Sequence, residues 1–135
     1  MDITKALAIS ARGMDAQTTR LRVIAENLSN QDTTGSAPGA DPYRRKVVAF
    51  EDRMDQALDA ETVRVRQVET VPGEFPLRYD PSHPAADAKG YVKVPNVNSF
   101  VEVMDMREAQ RTYSANLNVM EASRSMLTRT IEMLK

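Results

Sequence analysis

Apolar residues recur at heptad spacing at both ends of this 135-residue chain, but not in its middle. Over the first 30 residues they return at intervals of three or four, which predicts an amphipathic helix. The N-terminal seam consists of Ile3, Leu7, Met14, Leu21, Ile24 and Leu28, with Ser10 and Gln17 as polar members. A repeat of 3.5 residues keeps one apolar seam facing a partner helix, so this segment is predicted to pair with another helix.

A second stripe lies near the C-terminus and recurs mainly every seven residues. The C-terminal seam consists of Met106, Tyr113, Leu117, Met120, Leu127, Ile131 and Leu134, with Ala109 among them. Ser99, followed three residues later by Glu102, predicts a capping box at the start of this helix. We therefore predict an α+β protein in which long N- and C-terminal helices pack as a coiled-coil-like pair, with a small proline-rich central segment that contains β-strands.

This pattern divides the chain into three parts. Residues 1–30 are predicted to form an N-terminal assembly helix, and residues 99–135 a C-terminal assembly helix. Residues 31–98, rich in glycine, proline and small polar residues at their start, are predicted to form a central segment of loops and strands. The patterned residues thus lie at the ends, an arrangement that indicates assembly rather than catalysis.

The ends of the first helix carry recognisable signals. Asp2 or Thr4 is expected to cap its N-terminus, and Asn30 to take the left-handed conformation after its last turn. Each seam side chain contributes roughly 1.5–3 kcal/mol when fully buried, while ordering each backbone residue costs roughly 1–2 kcal/mol. We therefore expect the helices to need further neighbours, either the central segment or other subunits, and to be poorly ordered in the free monomer.

Short alternating runs predict strands in the central segment. The candidate strands are residues 47–50, 63–68, 75–79 and 91–94. Val68 falls out of phase with the alternation at Val63 and Val65, as a β-bulge would produce. Residues 50–58 are also compatible with a short helix, because Met54, Ala57 and Leu58 follow Phe50 at helical spacing. Seven prolines, from Pro38 to Pro95, keep these elements short.

Charge and composition exclude several function classes. The chain has 18 lysines and arginines against 19 acidic residues, and no segment is basic enough to follow a phosphate backbone. The short basic run at residues 44–46 is interpreted as a solvated strand entry. No apolar run approaches a membrane span, and residues 1–5 lack the pattern of a secretory signal, so composition alone predicts a cytoplasmic protein. The absence of cysteine excludes disulfides and thiolate metal sites.

The single histidine, His83, lies in a run of turn-forming residues. A metal site would use Asp80, His83 and Asp87, but the prolines beside His83 prevent a regular helix that would align them, and no further ligand is apparent. A hydrolase would use Ser82 with His83, but adjacent residues do not readily reach triad geometry. We therefore predict a turn here, with no cofactor and no enzymatic activity.

Several motifs resemble signatures of the bacterial flagellar rod and hook proteins. The N-terminal motif comprises Asn27, Leu28, Asn30, Thr33 and Gly35, followed by Pro42, Tyr43 and Arg44. A more specific set comprises Tyr79, Asp80, Pro81, His83 and Pro84, then Gly90, Tyr91, Val92, Pro95 and Asn96. The match covers nearly the whole chain in order and is most similar to a proximal rod member. Glu26 and Ser29 depart from the asparagine and alanine that the family usually has there.

The resemblance implies a structural subunit of the basal-body rod, the drive shaft that crosses the periplasm. Its partners would be other copies of itself, the other rod proteins and the flagellar type III export apparatus, which exports such chains without a cleaved signal peptide. Nucleic acid binding and membrane insertion are not expected. In this family the terminal helices pack as the inner wall of a tube. The alternative is a helical-hairpin adaptor or chaperone-like binding module.

Overall fold

The computed structural model describes residues 2–135 and contains two long helices and two β-hairpins. In chain order the elements are α1 (Ile3–Ser29), β1 (Lys46–Asp55), β2 (Ala60–Thr70), β3 (Leu77–Tyr79), β4 (Tyr91–Lys93) and α2 (Ser99–Met133). The strands pair antiparallel as β1 with β2 and β3 with β4. The helices pack against each other, so the predicted α+β class with paired terminal helices is confirmed.

The start of α1 follows the sequence prediction, but its end does not. Asp2 caps the helix, because its Oδ1 accepts a hydrogen bond of 3.2 Å from the backbone N–H of Thr4. The left-handed conformation predicted for Asn30 is wrong, since its φ is −106°. The Asn30 backbone N–H and side-chain Nδ2 both donate to the carbonyl of Glu26, so the last turn is satisfied without a left-handed residue.

The start of α2 uses a different cap from the one predicted. Asn98 has an extended backbone, and its Oδ1 accepts hydrogen bonds from the N–H groups of Phe100 and Val101. The capping box at Ser99 is therefore wrong, because Ser99 is already the first helical residue. Glu102 is released from any capping role and turns inward, where it is fully buried.

The long hairpin of β1 and β2 contains the predicted bulge. Ala49 pairs with Gln67 and Phe50 pairs with Val65, which leaves Arg66 as the extra residue. The alternative of a short helix over residues 50–58 is wrong, because β1 continues to Asp55 and a turn follows. Asp59 closes this turn with a left-handed φ of 49°.

This hairpin lies along α1 on a side not covered by α2. Near the hairpin tip, Asp59 is 3.9 Å from the Lys5 ammonium and Asp55 is 3.6 Å from the Arg12 guanidinium. At the hairpin base, Lys46 lies beside the end of α1 at Asn27. The first helix therefore gains the further neighbour that its thin seam requires, and the central segment supplies it.

The short hairpin of β3 and β4 forms a separate small unit before α2. Its predicted strands are both shorter than expected, but Val94 still donates a backbone hydrogen bond of 2.9 Å to Pro76. The rings of Tyr79 and Tyr91 meet edge to face, with centroids 5.4 Å apart. Val92 is fully buried and anchors this unit.

Candidate assembly interface

The N-terminal seam lies on α1, where most of its side chains are half-buried. Ile24 is the fully buried apolar member. The half-buried members are Ile3, Leu7, Met14, Leu21 and Leu28. The polar members Ser10 and Gln17 are also buried, and Gln17 Oε1 is the one buried side-chain polar atom without a hydrogen-bond partner within residues 2–135. The seam is therefore only partly covered within the described residues, and it contains an unsatisfied acceptor.

The C-terminal seam on α2 divides into two parts. The half-buried members are Met106, Tyr113, Leu117, Met120 and Leu127. Ile131 and Leu134 are exposed, and the neighbouring Met133 is 82% exposed. The side chains of the first part pack within the helix pair, whereas those of the second part are not covered by any described residue.

The most deeply buried column of α2 consists of small and polar residues, and of these the predicted seam included Ala109 alone. Glu102, Ala109 and Ser123 are buried. These residues and Asn116 recur every seven positions. Asn116 lies directly against Gly13, and a Cβ added to Gly13 would come within 2.9 Å of the Asn116 amide nitrogen. Small residues at this column let the two helices approach closely. In the sequence, this column is visible as small and polar residues that recur every seven positions beside the apolar seam.

The two helices run antiparallel and differ in length. Asn27 faces Glu102 at one end of the pair, and Gly13 faces Asn116 near its middle. The same register places the start of α1, at Ile3, opposite Met126. Residues 128–135 are all exposed, so about two turns of α2 extend beyond the end of α1.

A polar junction of Asn27, Tyr43, Arg45, Lys46 and Glu102 fastens α1, β1 and α2 where α1 ends and α2 begins. Asn27 is 1% exposed, and all four of its hydrogen-bonding positions are used. Its Nδ2 donates to the Lys46 carbonyl at 2.8 Å and to Glu102 at 3.2 Å. Its Oδ1 accepts from the Tyr43 hydroxyl at 2.8 Å and from the Lys46 N–H at 3.0 Å.

Glu102 is the buried charge of the polar junction. Its carboxylate accepts from the Nε of Arg45, whose terminal nitrogen also lies 3.2 Å from Asp105. The backbone N–H of Arg45 donates to Asn96 at 2.7 Å. Because a buried carboxylate needs a paired cation, these contacts specify how α2 sits against β1. The sequence predicted a capping role for Glu102 and did not reveal this one, because its partners lie 57 and 75 residues away.

The fold raises the pKa values of two residues at the junction. Burial raises the pKa of the Tyr43 hydroxyl, and the negative charge of Glu26 raises it further. A hydrogen bond of 2.6 Å to the Glu26 carboxylate raises the pKa of Lys46. Glu26 thus stabilises the charged form of Lys46.

The basic run at residues 44–46 lies at the entry to β1, as predicted, but its side chains are half-buried and paired rather than solvated. Arg44 donates to the carbonyls of Val71 and Gly73, both at 2.9 Å, and its guanidinium stacks on Phe75 at 4.1 Å. Together with the ion pairs of Arg45 and Lys46, these contacts direct all three cations to partners within the chain. The run is structural because each charge has a nearby acceptor that the sequence did not reveal.

The remaining motif residues build turns around the short hairpin. Pro42 and Pro95 are buried, and Asn30 accepts from the Thr33 hydroxyl at 3.1 Å. A Cβ added to Gly35 would lie 2.7 Å from Ala40, so a larger residue would not fit. Gly90 has a φ of 88° and faces Tyr79, which explains the glycine at that position.

His83 joins the loop after α1 to this turn. Its Nδ1 accepts from the Ala85 N–H at 3.0 Å, which places the ring proton on Nε2, 3.1 Å from the Thr34 hydroxyl. The Ser82 hydroxyl donates to Asp80 rather than contacting the imidazole, so the hydrolase arrangement does not form.

Asp87 is also engaged in the turn. Its Oδ1 accepts from the N–H groups of Lys89 and Tyr91, and the bond from Tyr91 is the main reason its pKa lies below the usual value. Across residues 2–135 no three acidic or histidine side chains are grouped to hold a metal ion. Over the same residues, neither helix is both long and apolar enough to cross a membrane.

Comparison with known families covers the two regions that form the helix pair. The family model described as "Flagella basal body rod protein" matches residues 7–35, which include most of α1 and the turn after it. The model described as "Flagellar basal body rod FlgEFG protein C-terminal" matches residues 88–133, which include β4 and α2. Both seams therefore lie largely inside stretches shared with rod proteins.

Full-length relatives decide the family. The flagellar basal-body rod protein FlgC of Agrobacterium fabrum is 46% identical over 133 residues, which cover 98% of this chain and 96% of that protein. The chain belongs to the FlgC family. The FlgC proteins of Aquifex aeolicus and Salmonella typhimurium are 41% and 38% identical, over 100% and 91% of this chain and 99% and 91% of their own lengths. The resemblance found in the motifs is confirmed, and FlgC relatives support a structural role in the rod.

Proposed function

We propose that this chain is a non-catalytic subunit of the proximal rod that assembles, through its terminal helices, with copies of itself and with other rod proteins. The observation that carries the proposal is the apolar surface that α2 leaves uncovered after pairing with α1. Val119, Met126, Ile131, Met133 and Leu134 are each at least half exposed. Exposed apolar surface of this extent is typical of a protein–protein interface.

The shape of the subunit supports an open assembly. One end of the helix pair carries the polar junction, and the other carries the free end of α2, so the two ends present different surfaces. Different surfaces that bind head to tail generate rings or open helical arrays, whereas a two-fold dimer needs one self-complementary surface. A tubular rod is an open array of this kind.

The proposal also implies where the subunit functions and how it is exported. The subunit would function in the periplasm-spanning rod after passage through the flagellar type III export apparatus, without a cleaved signal peptide. The names of the relatives support the rod location. Transfer in an unfolded or partly folded state would keep the two seams from polymerising before export.

Complementation of a deletion strain tests the function. Loss of the gene is expected to abolish rods and motility, and the unaltered chain should restore both. Leu127→Glu places a charge on the C-terminal seam and should fail to restore them, while Ser125→Glu at a nearby exposed position should succeed. A deletion strain that still builds full flagella would refute the proposal.

Leu21→Glu tests the N-terminal seam in the same strain, with the exposed Arg22→Glu as its control. Export of each variant is measured by its presence outside the cytoplasm, which separates failed assembly from failed export. A chain that stays monomeric at high concentration, with an intact helix pair and no role in rods, would favour the adaptor alternative.

A further inference from the structure

An open groove lies beside the polar junction, where the last turns of α1 meet β1 and the start of α2. It encloses about 310 Å³, and its apolar wall is formed by Val23, Ile24, Val47, Val48 and Phe50. Phe50 is 38% exposed, so the groove opens to solvent over an aromatic side chain. An apolar groove of this kind accepts a small number of aliphatic side chains.

The rim of the groove carries charges of both signs. Arg20 lies on one side, 3.4 Å from Glu108 and 4.0 Å from Asp105, and Lys46 lies near the entrance. A rim of mixed sign does not favour a polyanion such as nucleic acid. It suits a protein segment whose own charges alternate around an apolar centre.

Such a segment exists at the opposite end of the same chain. Beyond Leu127, α2 carries Ile131, Met133 and Leu134 on turns that α1 does not reach, and Leu134 is 83% exposed. Arg129, Glu132 and Lys135 alternate in charge around them. The groove and this segment are separated by nearly the full length of α1, about 40 Å, so they cannot meet within one molecule.

We propose that the C-terminal end of α2 from one copy docks in the groove of a second copy. Ile131 and Leu134 fill the apolar wall, and Glu132 lies beside Arg20 at the rim, where it adds to the contacts that Arg20 makes with Asp105 and Glu108. The contact is head to tail, and it leaves the same groove and the same helix end free on the outer copies. This inference rests on the proposed rod function and specifies one contact through which copies join.

Disulfide trapping between two differently marked copies tests the contact directly. The chain has no native cysteine, so each introduced thiol is unique. One copy carries Leu134→Cys, on the face that enters the groove, and a longer affinity tag, and the other carries Val48→Cys in the groove. After mixing at a concentration that permits association and mild oxidation, a mixed disulfide dimer is measured on a non-reducing gel.

The matched control replaces the groove thiol by Val119→Cys, which is exposed on the middle of α2, far from the groove. The groove pair is expected to give on the order of tenfold more mixed dimer than this control, because docking raises the effective concentration of the two thiols. Phe50→Cys serves as a second groove position if Val48→Cys alters the fold by circular dichroism.

Equal trapping at the groove and at Val119→Cys, or no mixed dimer at all, overturns the docking proposal. Trapping of the groove thiol by a different rod protein in cells, in place of a second copy, also overturns it. The same cysteine variants are placed in the deletion strain. If they restore motility but give no groove-specific disulfide, the docking fails while the rod function stands, whereas motility without any copy of the gene refutes the rod function itself.

Discussion

The side-chain amide of Asn27 donates a 3.2 Å hydrogen bond to the carboxylate of Glu102, which lies 75 residues further along the chain. This bond joins the end of α1 to the start of α2 inside a buried polar site. Asn27 belongs to the motif at the end of the first helix, and Glu102 pairs with Arg45 from β1. A single side-chain amide therefore positions three elements at once.

Replacing Asn27 by alanine should lower the free energy of unfolding by more than the loss of side-chain volume alone would. It leaves the Tyr43 hydroxyl, the Lys46 backbone and one Glu102 oxygen without their partner, and each buried unsatisfied group costs about 1–3 kcal/mol. We expect a loss of about 3 kcal/mol or more in urea unfolding followed by circular dichroism. Asn30→Ala, which removes two less buried bonds, should cost about 1 kcal/mol. Equal effects of the two variants would contradict the role given to Asn27.

The ion pair of Arg45 and Glu102 should show strong coupling. Arg45→Met leaves a fully buried carboxylate without its cation and is expected to cost about 3–5 kcal/mol. The double variant Arg45→Met with Glu102→Met removes both charges and should recover at least half of that loss. Unfolding free energies of the two single variants and the double variant give the coupling directly. Additive losses would mean that the two charges act independently.

Removing the unsatisfied acceptor in the N-terminal seam should stabilise the helix pair. Gln17 is buried and its Oε1 has no hydrogen-bond partner. Gln17→Leu keeps a similar volume, removes the acceptor and is expected to raise the free energy of unfolding by about 1–2 kcal/mol. The exposed Gln110→Leu should change it by less than about 0.5 kcal/mol. A destabilised Gln17→Leu chain would show that the amide makes a contact needed for register.

The turn between β3 and β4 should loosen only in acid. The pKa of Asp87 is lowered in the fold, chiefly by the hydrogen bond from the Tyr91 N–H. Its contribution to stability is therefore present above the unfolded pKa of about 3.9 and is lost as the pH falls through the lower folded value. Amide resonances of Lys89 and Tyr91, followed by NMR, should move in that range. Asp87→Asn should remove the titration, and a transition that persists in this variant would assign it to another group.

Amide hydrogen exchange should become faster along α2, from its start near Glu102 to its C-terminal end. Amides near Glu102 are expected to exchange slowly in the dilute monomer, because the polar junction is buried, and those of residues 128–135 rapidly, because no element covers them. Mass spectrometry of quenched fragments measures both. Rapid exchange over all of residues 1–30 and 99–135 would instead mean that both helices order only on assembly, as the thin seams alone predict.

Local patterns predicted much of this fold. The cap at Asp2, the two long helices and the bulge at Arg66 each follow from the order of neighbouring residues. Val68 falls out of phase with Val65 because one extra residue lies between them, and such a shift is visible in a short run of sequence.

The rest depends on backbone geometry or on distant partners. Asn98 and Ser99 are both good caps, and only the backbone decides which is extended. Glu102 looked like a capping residue because its true partners, Asn27 and Arg45, lie in other segments. Of the deeply buried column, Ala109 was placed in the C-terminal seam, but Asn116 and Ser123 were not, because polar residues carry no hydrophobic signal. The column nevertheless sets how closely the helices pack.

Every side-chain hydrogen bond and ion pair between α1 and α2, within residues 2–135, lies in the half of the pair from Arg20 to Asn27. The other half is held by packing of apolar, small and polar side chains, without a side-chain hydrogen bond or ion pair between the helices within the same residues. Changes in crossing angle therefore pivot about the buried carboxylate and grow toward the start of α1. In the proposed rod, such a subunit would adjust the spread of its helices to its neighbours while the ion pair of Arg45 and Glu102 stays intact.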